Sequence, residues 1–127
     1  VEHIMVVGHY GCGGVNAALH GRRLGLVDNW IRHVQDVRDK HQLQLDKLQH
    51  VGDQENRLCE LNSLEQSMHV SLTSIVQDAW ARGQNLCVHS WIYGLINGHL
   101  HDLGFTVNKA EDVQPAYEEA LKRLSSQ

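Results

Sequence analysis

The sequence predicts an α/β fold, a parallel β-sheet with flanking helices, and three observations lead to that expectation. Two short apolar runs, Ile4-Met5-Val6-Val7 and Leu86-Cys87-Val88, have the length of buried strands rather than helices. The stretch between them, residues 28–83, repeats its apolar residues near a helical spacing. The first run also ends in a glycine-rich turn, and the C-terminal edge of a parallel strand is where α/β folds place their sites. The order strand, helices, strand, helix is that of a crossover unit, which sets the two strands parallel with a right-handed connection.

Each element follows from its residues. The unbroken apolar run Ile4–Val7 reads as a strand covered on both faces. It gives way to Gly8-His9-Tyr10-Gly11-Cys12-Gly13-Gly14, whose glycines allow a tight turn and close backbone approach. A brief helix is expected over Val15–Leu19. Asp28 is placed to cap a second helix with Trp30, Ile31, Val34, Val37, Leu45 and Leu48 along one stripe and Arg32, Asp36, Arg38, Asp39 and Lys40 opposite. After Gly52, Asp53 is placed to cap a long helix bearing Leu58, Leu61, Leu64, Met68, Leu72, Ile75, Val76 and Trp80, which Gly83 ends. Trp30 and Trp80 are expected in the core. Asn85–Tyr93 reads as the second strand, Asn97-Gly98 as a turn and Leu100–Val107 as a short edge strand. Glu111–Leu124 closes the chain as an amphipathic helix, with Val113, Tyr117, Leu121 and Leu124 inward and Pro115 in its first turn, where proline is tolerated. No repeat or linker divides the chain, so residues 1–127 are expected to form a single domain. Two parallel strands make a poor sheet, so that domain is expected to be incomplete or to be completed by another chain.

Composition narrows the function classes. Hydrophobic residues at 42%, charged residues at 20% and a single proline describe a globular chain. A formal net charge of −4 argues against nucleic acid, whose phosphates demand a basic surface. The longest apolar run is far short of the roughly 20 residues that span a bilayer, so no membrane partner is expected. Three cysteines, Cys12, Cys59 and Cys87, leave one over in any pairing, which suits a reducing compartment and a cytoplasmic location.

Chemistry concentrates in His9-x-x-Cys12. Imidazole and thiolate are the preferred donors to zinc, and a turn can aim both at one ion, but two donors are half a site. The same turn also suits an anion-binding loop or plain tight packing. His89 reads as a satisfied buried histidine, and His99 and His101 as exposed residues of the edge strand.

The turn, following an apolar strand, resembles the zinc-binding signature of β-class carbonic anhydrases of bacterial type. The resemblance extends over nearly the whole chain, through Leu24-Gly25-Leu26-Val27-Asp28-Asn29-Trp30, Glu60-Leu61-Asn62-Ser63-Leu64-Glu65-Gln66 and Trp80-Ala81-Arg82-Gly83-Gln84. It implies a zinc ion held by one histidine and two cysteines with water in the fourth position, the later two ligands falling on His9 and Cys12. The first cysteine belongs to a Cys-x-Asp-x-Arg motif that does not occur in this sequence, so the chain is expected to be a C-terminal portion of such a protein, truncated at the N-terminus. Cys59 and Cys87 are expected to be buried, apolar-like cysteines. The activity implied is reversible hydration of carbon dioxide to bicarbonate and a proton, zinc lowering the pKa of its water from about 15.7 toward about 7. Amides around Gly13 are expected to contact bicarbonate, the alternative being that Gly13 and Gly14 only make the turn. Tyr93 resembles a tyrosine that lines a non-catalytic bicarbonate pocket in one allosteric subgroup, and core packing is the expectation for it here. The resemblance also implies a homo-oligomer, dimer or tetramer. The alternative reading is a catalytically inactive fragment or rearranged oligomer with an incomplete zinc site.

Overall fold

The structure is a computed structural model and describes residues 1–127. Strand β1 (His3–His9) is followed by helices α1 (Gly13–His20), α2 (Asp28–Lys40), α3 (Gln42–Asp46), α4 (Val51–Ser71) and α5 (Ser74–Ala81). Strands β2 (Cys87–Gly94) and β3 (His99–Val107), a 3-10 turn over Ala110–Asp112 and helix α6 (Val113–Ser125) complete the chain. The sheet has the order β1-β2-β3. β1 and β2 pair in parallel, as the crossover pattern predicts, from His3 opposite Cys87 to His9 opposite Tyr93. β3 returns antiparallel to β2, so the sheet is mixed. Its register shifts between Ser90 and Trp91, where Leu103 and Gly104 are the extra residues, and Gly104 takes up the bulge at φ +84°.

The core lies between one face of this sheet and the helices. Phe105, Val88 and Ile92 from the strands meet Leu58, Leu61 and Leu64 of α4 and Tyr117 and Leu124 of α6. Helix α4 sits close because it turns small residues to the sheet. Ser63 donates to the carbonyl of Trp91 at 2.9 Å, while the Ser67 and Ser71 hydroxyls are folded back onto carbonyls four residues earlier, at 2.7 and 2.8 Å. A Cβ on Gly8 would lie 3.2 Å from Ile92 and 3.3 Å from Ser63, so this glycine is required by the approach of α4 to β1.

One buried polar cluster ties three helices together. Glu65 on α4 accepts from His41 Nε2 at 2.7 Å, from Lys40 Nζ of α2 at 3.1 Å and from the Tyr117 hydroxyl of α6. Burial raises the Glu65 carboxyl, but these donors outweigh it and hold the pKa at about 2. Burial, then the bond to Glu65, pushes Tyr117 up to about 12.

Several expectations need correction. β1 is not covered on both faces: its burial alternates, and Met5 and Val7 stand on a face that no helix occupies. The second helix breaks at His41, and Val27 rather than Asp28 is its N-cap; Asp28 instead accepts from the Leu24 amide at 2.8 Å. Trp30 is 77% exposed, because the inward stripe runs through Ile31 and Val37 and position 30 lies beside it. Trp80 is half-buried, its indole donating to the Leu86 carbonyl at 2.8 Å. The long helix is two, parted where Thr73 caps α5 by accepting from the Val76 amide; its N-cap is His50, and Asp53 lies in the first turn. Leu72 and Ile75 at that break are exposed. Gly83, at φ +82°, ends α5 as the sequence indicates. His89, Cys87 and Tyr93 are half-buried on the open face of the sheet rather than in the core, whereas Cys59 is buried. No helix is long and apolar enough to cross a membrane.

Candidate functional site

The glycine-rich turn occupies the C-terminal end of β1, where the chain leaves the sheet and enters α1. The turn is closed by Gly11, whose φ of +71° is a left-handed value that a side chain would strain. Gly13 has an ordinary backbone, and a Cβ built there would meet nothing within 4 Å. One on Gly14 would only touch Cys12 Sγ at 3.9 Å. The local fold therefore favours glycine at 8 for close packing and at 11 for its positive φ, while 13 and 14 are free of that demand.

His9 is exposed, and its Nδ1 is 2.8 Å from the Tyr10 carbonyl. A carbonyl only accepts, so Nδ1 donates to it, and in the neutral ring Nε2 is the nitrogen left to bind a metal. Tyr10 is anchored twice, its amide donating to the Tyr93 carbonyl at 3.0 Å and its hydroxyl to Glu60 Oε2 at 2.8 Å. Burial, then the Glu60 contact, raises the tyrosine pKa well above its ordinary value. Glu60 is held in turn by Arg57 Nε at 3.3 Å. His9 thus rests on a turn pinned to both α4 and β2.

Cys12 is the N-cap of α1 in extended geometry, and its side chain makes no capping hydrogen bond. The half-buried thiol is not committed to the helix. Cys59 of α4 lies beneath it: burial pushes that thiol up to about 11, against a hydrogen bond from the Cys12 backbone. A shallow hollow lined by Val7, Gly8, His9, Tyr93, Leu95 and Leu100 opens beside the imidazole, mostly apolar.

The chemistry of His9 and Cys12 fits zinc: an imidazole whose Nδ1 is engaged and whose Nε2 is free, and one thiol that caps nothing, are two of its preferred donors. The pair belongs to no set of three His, Cys, Asp or Glu ligand atoms lying within 4.8 Å of one another. The chain does gather one such set, His3, Cys87 and His89, at the opposite end of β1 and β2. Sequence reasoning missed that set. The alternation Cys87-x-His89 was available as a signal, but its link to His3 depends on a strand register that spacing alone does not reveal.

A carbonic anhydrase family model matches residues 1–100. A carbonic anhydrase from Emericella nidulans is 42% identical over 103 residues, which are 81% of this chain and 45% of that protein. The chain belongs to the β-class carbonic anhydrases. Among solved structures, the Coccomyxa β-carbonic anhydrase in complex with acetazolamide is 34% identical, with a TM-score of 0.84 over 100% of this chain and 60% of that one. A structure from the pair of tetrameric β-carbonic anhydrases of Sordaria macrospora is 30% identical, with a TM-score of 0.76 over 84% of this chain and 54% of that one. The chain spans about half the length of the relatives it matches, and the α/β sheet with its flanking helices is the part of the family fold that it shares with them.

Proposed function

We propose that this chain supplies two ligands, His9 and Cys12, to a zinc centre that converts carbon dioxide and water reversibly into bicarbonate and a proton, with residues 1–127 acting as a single unit of the family fold. The observation that supports it most is the pinned turn, which offers the free His9 Nε2 and, three residues on, an uncommitted Cys12 thiol at the end of a parallel strand. Zinc, when bound, supplies Lewis acidity that makes water a nucleophile at neutral pH. The protein residues do the rest. The bond from His9 Nδ1 to the Tyr10 carbonyl fixes the tautomer and the ring. The apolar hollow beside His9 suits an uncharged substrate such as carbon dioxide. Gly13 leaves the start of α1 open, so that its backbone amide can donate to a bicarbonate oxygen.

The third donor must come from outside the His9–Cys12 pair, from another segment or a second copy of the chain. That same observation favours the second reading, an inactive or rearranged assembly with an incomplete centre. The open apolar face of the sheet, and the tetrameric Sordaria relatives, support a homo-oligomer. Three free cysteines support a reducing compartment, the cytoplasm.

Elemental analysis for zinc, paired with a carbon dioxide hydration assay on the same sample, tests the proposal. The expected result is activity that falls to the uncatalysed rate in His9→Ala, together with a loss of about one zinc per chain. No activity above background, with zinc unchanged by His9→Ala, would establish the second reading.

A further inference from the structure

We propose that His3, Cys87 and His89 form a zinc-binding site on the open face of the sheet, at the N-terminal ends of β1 and β2. Position explains how the three meet. The parallel register sets Cys87 opposite His3 and His89 two residues on, so all three side chains project from the face that no helix covers. His9 stands at the other end of β1, about 20 Å away at the usual rise per residue.

Two of the three donors already stand near the spacing of a bound ion, and the third lies within reach. His3 Nδ1 lies 3.0 Å from His89 Nε2, the two rings are 5.2 Å apart, and one ligand atom from each of the three residues lies within 4.8 Å of the others. Zinc takes imidazole nitrogen at about 2.0–2.1 Å and thiolate at about 2.3 Å. A tetrahedral ion therefore separates two imidazole nitrogens by about 3.3 Å, a few tenths more than the spacing already present. In the metal-free chain the short nitrogen pair is a hydrogen bond in which one ring donates to the lone pair of the other. The ion replaces that shared proton: both nitrogens become donors, the displaced N–H moves to the far nitrogen of its ring, and the Cys87 S–H proton leaves to solvent.

An outer partner is in place. His89 Nδ1 is 3.4 Å from the Thr106 hydroxyl, directly across the β2–β3 ladder, so that with Nε2 on the metal the Nδ1–H has an acceptor at hand. The Trp91 ring lies 5.5 Å from that of His89, tilted by 40°, and walls one side. Two imidazoles and a thiolate select a borderline-soft ion over magnesium or calcium, and three protein ligands leave a fourth position open to solvent.

The test uses the 127-residue chain carrying His9→Ala and Cys12→Ser, so that the glycine-rich turn contributes no metal. We expect one zinc per chain to survive gel filtration and, with cobalt in place of zinc, a thiolate charge-transfer band in the near ultraviolet. Adding Cys87→Ser removes the band and weakens zinc binding more than ~100-fold, beyond what loss of an outer-shell partner costs. A zinc-free double variant, or a band that survives Cys87→Ser, overturns the site. The unsubstituted chain gives a readout that does not depend on any variant folding. There, zinc should slow alkylation of Cys87 at least ~10-fold by mass spectrometry, and equal rates with and without zinc overturn the proposal.

Discussion

On the helix-covered face of the sheet Val88, Ile92 and Phe105 are fully buried, while on the opposite face of the same three strands Met5 and Val7 remain 53% and 48% exposed. Residue type does not separate the two faces, since both carry valine and other large apolar side chains. What separates them is α4 and α6, which pack on one side only and remove from water the surface that stabilises the fold, at about 1.5–3 kcal/mol for each fully buried large side chain. The open face is left with reactive groups instead: His3, Cys87 and His89 at one end, His9 and the apolar hollow at the other. Buried apolar contacts and exposed candidate ligands are thus divided between the two faces, and substitutions should report that division.

The largest effect is expected where the covered side is most polar. Glu65→Ala leaves His41, Lys40 and the Tyr117 hydroxyl without their shared acceptor, and removing one partner of a buried ionic cluster costs about 3–5 kcal/mol. Its pH dependence has a definite sign. The carboxyl is held at about 2 in the folded chain against an ordinary 4.5, so the folded state binds fewer protons than the unfolded state between those values. The stabilisation is therefore complete above about pH 4.5 and lost as pH falls toward about 2. Urea melts at stepped pH should show the gap between the original chain and Glu65→Ala closing over that acidic window. A constant gap would mean that packing, not charge, holds the three helices together.

A smaller effect is expected at the boundary between stability and site. Gly8→Ala introduces a Cβ 3.2–3.3 Å from Ile92 and Ser63, so α4 must retreat from β1 by a few tenths of an ångström. Overpacking of this kind costs about 1–3 kcal/mol. Because the same helix anchors Tyr10 through Glu60, the substitution should also loosen the turn that bears His9, visible as a weaker zinc affinity at unchanged secondary structure. Gly13→Ala, with an ordinary helical backbone and open space around its Cβ, should not lower stability and should raise it by at most about 1 kcal/mol, so it serves as the control.

The elements themselves were legible because each has a local cause. The apolar runs at Ile4–Val7 and Leu86–Val88 gave β1 and β2, Gly83 ended α5, and the stripe of Val113, Tyr117 and Leu124 gave α6. The glycine-rich turn was legible as well: it stands between β1 and α1 where the sequence puts it, with the candidate ligands His9 and Cys12 on either side of Gly11. What escaped was non-local. A β-branched run reads the same whether one face or two are covered, so Met5 and Val7 could not announce the open face. The break at Thr73 was hidden because apolar residues continue in helical spacing across it, and only the cap to Val76 reveals a new start. The exposure of Trp30 follows from a stripe shifted by one residue, a rotation of about 100° about the helix axis that turns the bulky side chain from the core to solvent. The pairing of His3 with His89, 86 positions apart, exists only once the β1–β2 register is fixed.

The smallest effect is expected on the open face, and it decides whether that face is open in solution. Met5 lies between His3 and Val7 on β1, more than half exposed and packed under no helix. If the chain is monomeric, Met5→Lys replaces one solvated side chain by another and should change stability by less than about 0.5 kcal/mol. If copies associate through this face, as the homo-oligomer reading holds, the lysine places an unpaired charge in an apolar interface and should cost several times more, in a concentration-dependent manner. Thermal melts at two protein concentrations, tenfold apart, separate the cases. A melting point independent of both concentration and substitution leaves the face to its histidines and cysteine. A concentration-dependent melting point that Met5→Lys lowers assigns it to a second copy, which could then bring the missing zinc donor toward His9 and Cys12.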